Sequence, residues 1–257
     1  MKQIISFFLR NVPRKYLQLF SHVVLKVVAV FYSGSNVQCP VCERKFRKFL
    51  PYGREARENA LCPNCLSLER HRLMWLFLKE KTNFFSSQLK VLHIAPEICF
   101  LERFERLHKD DYITADLESP LAKVKMDIHE MPFDNDSFDV VFCNHVMEHV
   151  KDDIQSMKEI YRVLKPGGFA IVQIPIFHPV PEVTFEDPTI TDPKEREKRF
   201  GQDDHVRLYG KDYPDRLRSA GFTVAEDNFV NELSESDRNL YALPEGEMIH
   251  FCTKPAP

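Results

Sequence analysis

The chain has 257 residues, which is enough for one large α/β domain with a small appendage. Its hydrophobic content of 44% and charged content of 28% are those of an ordinary globular protein. The seven cysteines are odd in number and four of them form two C-x-x-C pairs, which argues against a secreted disulfide framework.

The net charge of −3 is unevenly distributed along the chain. Residues 1–81 carry fifteen Lys and Arg against five Asp and Glu, whereas residues 82–257 carry twenty against thirty-three. A basic front end predicts contact with an anionic partner, either a membrane surface or a nucleic acid. The alternative is that the two parts of the chain attract each other.

Residues 1–36 are predicted to form a basic amphipathic helix followed by a linker, which is the stretch SGSNVQ at 33–38. The polar side chains of the helix recur along one stripe and are Lys15, Gln18, His22 and Lys26. The apolar run is short for a membrane span and has a lysine in its middle, so we expect residues 1–32 to lie at a membrane surface. The alternative is a helix packed on the rest of the protein.

Residues 37–82 are predicted to form a zinc ribbon and a connecting helix at 67–82. The cysteines are spaced as two knuckles separated by nineteen residues, and they are Cys39, Cys42, Cys62 and Cys65. Four thiolates make a closed tetrahedral site, so a structural Zn²⁺ ion is expected, and two disulfides or a redox pair are the alternatives. Free thiolates require a reducing compartment, so we expect a cytoplasmic protein at the inner membrane face.

Basic side chains surround the cysteine module and continue into its helix. They are Arg44, Lys45, Arg47, Lys48, Arg54, Arg57, Arg70, His71 and Arg72. Two interpretations remain open, a grip on phosphates and a solvated surface.

Residues 83–257 alternate between short apolar strands and helical stretches, which predicts a parallel sheet with right-handed crossovers. The expected strands are 89–94, 111–115, 138–143, 168–175, 222–229 and 247–253. The segment 177–208 is rich in proline and charge and has no clear periodicity, so it is predicted to be a lid or substrate loop.

Two carboxylates follow the first strands of this sheet. The stretch VLHIAPEICFLERF at 91–104 has the strand–turn–helix layout of a nucleoside pocket. Asp116 ends the second strand, where an acid is placed to accept hydrogen bonds from ribose hydroxyls, and Asp127 follows a third strand, where it can accept from an adenine amino group.

Residues 89–176 resemble a class I S-adenosylmethionine-dependent methyltransferase of the small-molecule type. The resemblance rests on the run from Asp127 to Gly168, which includes PFDNDSFDVV, HVMEH and EIYRVLKPGG. It implies a doubly wound, mostly parallel seven-stranded Rossmann-like sheet. It also implies that Asp116 binds ribose, that Asp127 and Ile128 flank adenine, and that Asn144 and His145 flank the methionine end of the cofactor.

The first turn departs from the pattern of that family, which has an acid followed by three glycines. His93 stands at the acid position, and Ala95, Glu97 and Cys99 stand at the glycines. We expect Ala95 and the fixed φ of Pro96 to make a tight turn, with His93 and Glu97 near the cofactor's ammonium group. The alternative is a degenerate fold that binds no cofactor.

A general base is expected if the acceptor is a hydroxyl or an amine. His205 is the first choice, oriented by Asp204, and His149 and His178 are further candidates. HVMEH at 145–149 also fits the H-x-x-E-H metal pattern of some peptidases, but the surrounding run favours the methyltransferase.

The methyl acceptor is not specified by the sequence, and three functions compete. The first is methylation of a small molecule or glycan, including a lipid-linked one, near a membrane. The second is methylation of RNA, which the basic front end favours and the acidic remainder of the chain disfavours. The third is a zinc-ribbon adaptor on an inactive methyltransferase fold.

Overall fold

The protein is described by a computed structural model that covers residues 28–53 and 56–256. The amphipathic helix predicted for the N-terminus therefore lies almost entirely outside the described residues. Within the described residues, no helix combines the length and the apolar character that crossing a bilayer requires.

The described chain forms two compact units. The cysteine unit contains the described residues up to Ser87 together with Glu97–Arg103 and Asn228–Glu247. The sheet unit contains Gln88–Pro96, Phe104–Asp227 and the described residues from Met248 onward. The sequence predicted a single division at residue 83. In the structure, two later segments, one of them near the C-terminus, belong to the same unit as the N-terminal residues.

The sheet unit contains one seven-stranded sheet in the order β12-β13-β9-β8-β5-β6-β7. Its strands are β5 (Val91–Ile94), β6 (Tyr112–Asp116), β7 (Val124–Lys125), β8 (Phe138–Asn144), β9 (Leu164–Gln173), β12 (Thr223–Asp227) and β13 (Ile249–Thr253). The five strands from β9 to β7 pair in parallel, and β13 is antiparallel to both β9 and β12. The predicted seven-stranded, mostly parallel sheet is confirmed.

Helices cover both faces of this sheet because its central strands are apolar on both sides. Five of the seven residues in FDVVFCN of β8 are apolar, and the residues of β5 are all buried. One face packs against α3 (Asp153–Val163) and α5 (Tyr213–Ser219), and the other carries Phe104 of α2 (Ile98–His108). The layers are those of a doubly wound fold.

The segment predicted as a loop at 177–208 contains regular structure. β10 (Phe185–Glu186) pairs with β11 (Arg207–Leu208), and α4 spans Pro193–Phe200 between them. The helix has no apolar stripe, so periodicity missed it. Its ends are nevertheless marked in the sequence, since Asp192 caps the N-terminus and Gly201, with φ of +91°, ends the helix in the left-handed conformation.

The cysteine unit includes four short strands and two helices in addition to the first part of α2. They are β1 (Ser33–Gln38), β2 (Lys45–Phe46), β3 (Leu50–Tyr52), β4 (Arg57–Leu61), α1 (Glu69–Lys81) and α6 (Glu235–Tyr241). The prediction of a linker at 33–38 is wrong, because these residues form β1, which pairs with β2 after the first knuckle. The predicted helix at 67–82 is confirmed within two residues at either end.

His250 is a buried, neutral side chain of β13. Its ring is 5% exposed, its Nδ1 atom lies 3.1 Å from Oε1 of Gln173, and it stands edge-on to the Tyr213 ring. Burial lowers the pKa of His250 to about 4 from its ordinary value of 6.5. Between pH 4 and 6.5, His250 is therefore protonated in the unfolded chain and neutral in the folded chain.

We expect acid to destabilise the sheet unit through this residue. Stability contributed by neutral His250 is present above pH 6.5 and is lost as the pH falls towards 4, by up to about 3 kcal/mol. His250→Gln should therefore flatten the decrease in the free energy of unfolding over that range, as measured by urea unfolding at several pH values. The exposed His178→Gln is the control, and an equal slope in both variants would contradict the assignment.

Candidate functional site

The carboxyl ends of β5, β6 and β8 lie next to one another because β5 pairs in parallel with both neighbours. Ile94, the last residue of β5, is opposite Ala115 and Cys143, so the turns that follow these strands meet at one edge of the sheet. Ligands of open parallel α/β sheets bind at this edge, beside the point where the strand order reverses.

Ala95 holds the turn after β5 in the left-handed region, with φ of +51°. Its N–H donates to the carbonyl of Ala115 at 2.9 Å, which fixes the turn against β6. A residue with a Cβ rarely adopts this conformation, so the backbone here follows a glycine-like path without glycine. Conformations of this kind are concentrated at functional sites.

Asp116 is positioned by its own loop at the end of β6. Its Oδ1 atom accepts hydrogen bonds from the N–H groups of Glu118 and Ser119 at 2.8 and 2.7 Å. The carboxylate is half-buried, and its Oδ2 atom makes no hydrogen bond to any described residue. One oxygen therefore orients the side chain, and the other remains available to a ligand.

Asp127 is exposed two residues after β7, and Ile128 beside it is buried. Oδ1 of Asp127 accepts from the backbone N–H of His129 at 2.9 Å and lies 2.6 Å from Nδ1 of the same residue. Both hydrogen bonds lower the pKa of Asp127, and the one from the backbone N–H has the larger effect. Nε2 of His129 accepts from the N–H of Asp152, so Nδ1 carries the proton and donates to the carboxylate.

His93 lies in the interior of the sheet unit and not at its edge. Its side chain is fully buried, its Nδ1 atom is 2.6 Å from the hydroxyl of Tyr112, and its ring contacts Phe104 and Phe142. Successive strand residues point to opposite faces, and Leu92 and Ile94 occupy the other face. The expected contact of His93 with the cofactor is therefore not supported, and the arrangement indicates a packing role.

Glu97 belongs to the cysteine unit, where its Oε1 atom lies 3.7 Å from Nε2 of His71. Cys99 of the same unit is buried, with its sulfur 3.4 Å from Nδ1 of His71. The side chains at two of the family's glycine positions are therefore engaged with a histidine of α1.

Asn144 ends β8, and His145 follows it with φ of +56°. The N–H of His145 donates to the carbonyl of Gln173 at 2.8 Å. The HVMEH motif lies on this turn, because the next helix begins only at Asp153. The two histidines of the motif therefore do not share a helix face, which the peptidase pattern requires.

His149 and His205 come together beside Glu148, although 56 residues separate the two histidines. Their ring centroids are 4.8 Å apart and their planes are nearly perpendicular. His205 is fully buried, and its Nδ1 atom donates to the carbonyl of Phe200 at 3.0 Å, which leaves Nε2 with a lone pair. Burial lowers the pKa of His205, so its ring is neutral at pH 7.

Arg207 fixes the turn that carries Glu148 and His149. Its guanidinium is buried and donates to the carbonyls of Met147 and Val150 at 2.6 Å each, and to that of Lys151 at 3.0 Å. The N–H of Val206 donates to the carbonyl of Glu148 at 2.9 Å. The segment before Arg207 carries His205, so these hydrogen bonds hold both histidines in place.

The four cysteines of the two knuckles form a second, separate cluster in the cysteine unit. Their ligand atoms lie within 4.8 Å of one another, with Cys39 and Cys65 sulfurs 3.6 Å apart and Cys42 and Cys62 sulfurs 3.7 Å apart. A tetrahedral ion with Zn–S bonds of about 2.3 Å requires sulfurs about 3.8 Å apart. All four cysteines are free of disulfides, so the donor set and spacing fit Zn²⁺.

Arg72 supports this cluster from within. Its buried guanidinium donates to the carbonyls of Ala60 at 2.8 Å, Ser67 at 3.1 Å and Ala242 at 2.6 Å, and it lies 4.4 Å from the centre of the Phe49 ring. Burial lowers the pKa of Arg72, and the neighbouring thiolates oppose that effect. The positive charge is thus used internally, so neither of the two open interpretations, a grip on phosphates or a solvated surface, applies to Arg72.

Comparison with known proteins supports the methyltransferase class for part of the chain. Residues 88–172, about one third of the chain, match the family described as Methyltransferase domain. The match begins just before β5 and ends within β9, so it includes the strand ends at which Asp116, Asp127 and Asn144 lie.

The chain is also similar to curated relatives and to solved structures that carry methyltransferase names. A demethylmenaquinone methyltransferase from Staphylococcus epidermidis is 41% identical over 58 residues, which cover 23% of this chain and 24% of the relative. One from Lactococcus lactis is 30% identical over 108 residues, covering 37% and 43%. An S-adenosylmethionine-dependent methyltransferase structure from Mesorhizobium loti aligns with 70% of this chain and 96% of its own, at 15% identity and a TM-score of 0.43.

The chain therefore spans less than half the length of these curated relatives. The family match covers β5, β6, β7, β8 and most of β9. Residues before 88 and after 172 lie outside that match.

Arg207→Lys should destabilise the sheet unit by about 2–5 kcal/mol, because an ammonium cannot reach all three carbonyls and leaves buried acceptors unpaired. Urea unfolding followed by circular dichroism measures the loss. Arg199→Lys is the matched control, since its side chain is 54% exposed and forms a surface ion pair with Glu195. Equal stability of the two variants would show that Arg207 does not hold the turn.

Proposed function

We propose that the protein is an S-adenosylmethionine-dependent methyltransferase acting on a small-molecule or glycan acceptor, including a lipid-linked one. The observation that supports this most strongly is the pair of ligand-ready carboxylates, Asp116 and Asp127, at the carboxyl edge of a methyltransferase-type sheet. The relatives named above methylate quinone precursors, which are small molecules, and this favours a small-molecule acceptor.

The cofactor's adenosyl group would lie along the edge formed by β5 and β6. Oδ2 of Asp116 would accept from the ribose hydroxyls, and Asp127 would accept from the adenine amino group while Ile128 packs against the ring. Ala95 fits this role, because its left-handed turn lets the backbone follow the path past the ligand that a glycine would take. Asn144 and His145 follow β8 at the same edge and would flank the methionine end.

Bound S-adenosylmethionine supplies an electrophilic methyl group. The acceptor atom forms the new bond to the methyl carbon while the carbon–sulfur bond breaks, and that electron pair remains on sulfur. The chain has to align the acceptor and exclude water. We propose that His149 receives the acceptor's proton, because it is partly exposed, with 35% of its side chain accessible. His205 is fully buried and is better placed to support that site than to touch the acceptor.

Asp116→Asn should weaken cofactor binding by about 1–3 kcal/mol, the contribution of a charge-assisted hydrogen bond. The asparagine keeps an oxygen for the N–H groups of Glu118 and Ser119, so the loop is preserved and only the ligand-facing charge is removed. Isothermal titration with S-adenosylmethionine measures the dissociation constant.

Asp110→Asn is the control, because this exposed aspartate precedes β6 and is far from its carboxyl end. A dissociation constant unchanged by the Asp116 substitution would argue against ribose binding at this position. Absence of binding in the wild-type chain would favour the inactive adaptor over the enzyme.

We also propose that the four-cysteine cluster binds a structural Zn²⁺ ion. The cluster offers four sulfurs at tetrahedral spacing and no open position. The hydroxyl of Ser67 lies 3.1 Å from the Cys39 sulfur and 3.3 Å from that of Cys65, where it can donate to a thiolate.

Cys62→Ser should lower the zinc content by one ion per chain and unfold the cysteine unit, since three thiolates bind the metal less well than four. Zinc is counted by inductively coupled plasma mass spectrometry, and folding is followed by the fluorescence of Trp75, the single tryptophan. Cys99→Ala, a buried cysteine of the same unit outside the cluster, should keep its zinc. Unchanged zinc in the Cys62 variant would contradict a four-thiolate site.

A further inference from the structure

Glu148 is a buried carboxylate of the sheet unit with no cationic partner among Lys and Arg of the described residues. It is 1% exposed, its Oε1 atom lies 3.4 Å from Nδ1 of His145 and 3.9 Å from Nε2 of His149, and its buried Oε2 atom has no hydrogen-bond partner. A buried, incompletely hydrogen-bonded carboxylate is costly unless a positive charge compensates it. The neighbouring side chains are imidazoles.

His205 has a ring nitrogen near this carboxylate that is available to ligate a metal. Its Nε2 atom is buried and has no hydrogen-bond partner, while its Nδ1 atom is engaged with the carbonyl of Phe200. A histidine that ligates a metal characteristically donates its other ring N–H to a backbone carbonyl or a carboxylate. The hydrogen bond from Nδ1 of His205 to the carbonyl of Phe200 is of this kind.

His149 shows the same arrangement. Its Nδ1 atom lies 3.4 Å from the backbone carbonyl of Asp204 and 3.5 Å from the carboxylate of the same residue, which leaves Nε2 turned towards Glu148. Both histidines therefore direct Nε2 at one carboxylate, and each has an oxygen partner behind it.

We propose that Glu148, His149 and His205 bind a divalent transition-metal ion. Their ligand atoms lie within 4.8 Å of one another. Metal–nitrogen and metal–oxygen bonds of about 2.0–2.2 Å require ligand atoms roughly 3–3.5 Å apart. The three side chains therefore have to move slightly closer together to bind the ion. Two imidazoles and one carboxylate suit Zn²⁺ and neighbouring metals and leave coordination positions open.

The two segments that carry the ligands are held together independently of a metal. Arg207 binds the carbonyls on both sides of Glu148 and His149, and Tyr209 donates to the carbonyl of Met147 at 3.1 Å. A site whose supporting residues are already fixed loses little conformational entropy on binding a metal.

The open positions give this site a role in the proposed methyl transfer, and that role rests on the proposed function. His149 is the partly exposed member, so an acceptor can reach the metal from its side. A divalent metal lowers the pKa of a bound hydroxyl, so the acceptor can release its proton to solvent water. His149 is then a metal ligand, and it receives the acceptor's proton only in the metal-free chain. The site therefore selects an acceptor whose nucleophile is oxygen.

The test counts zinc in untagged protein after equilibration with Zn²⁺ and desalting. Wild type should retain two ions per chain, one in the cysteine cluster and one in the second site. Glu148→Gln, which preserves shape but removes charge, and His149→Ala, at a partly exposed position, should each retain one. His178→Ala, at an exposed histidine of the same unit, should retain two.

One zinc ion in wild type, or two in both ligand variants, would overturn the metal site. Circular dichroism and titration with S-adenosylmethionine accompany the count, and both ligand variants should remain folded and bind the cofactor as wild type does. Two zinc ions in a wild-type chain that binds no cofactor would keep the metal site and remove the proposed function.

Discussion

The parallel pairing of β5 with β6 on one side and β8 on the other is the constraint on which the candidate site depends. This register places the turns after Ile94, Asp116 and Asn144 at one edge of the sheet. Each turn then fixes its own functional group: a left-handed alanine, an aspartate held by two N–H groups, and a left-handed histidine. A shift of one residue in β5 would turn its buried side chains to the opposite faces and disperse the site.

Two buried guanidinium groups hold backbone segments in place, one in each unit. Arg72 in the cysteine unit and Arg207 in the sheet unit each donate to at least three backbone carbonyls. The planar fork of arginine can satisfy several acceptors at once, which lysine cannot. In both places the arginine stands behind a cluster of ligand-type side chains, four cysteines in one case and a glutamate with two histidines in the other.

Much of the fold was predictable because its strands are short apolar runs separated by helices. The predicted strand at 138–143 differs from the observed Phe138–Asn144 by one residue, and the two C-x-x-C knuckles meet as their spacing predicts. Elements without an apolar pattern were not predictable in this way. β1 has the composition of a linker and is a strand because β2 pairs with it, and α4 is charged throughout.

The site was predictable where a local motif determines it and not where distant segments meet. Asp116 and Asp127 follow from their position after strands. His93 was misassigned because its direction depends on the alternation along β5. Glu148, which we propose as a metal ligand, was not singled out from the sequence, although HVMEH contained the signal, because the motif lies on a turn and the third proposed ligand, His205, is 56 residues beyond His149.

The most direct test is a crystal structure of the protein grown with S-adenosylhomocysteine. The expected result is the adenosyl group at the carboxyl edge of β5 and β6, with its ribose hydroxyls on Asp116 and its adenine beside Asp127 and Ile128. The compound bound elsewhere, or that edge empty at saturating concentration, would contradict the assignment of this edge as a cofactor site.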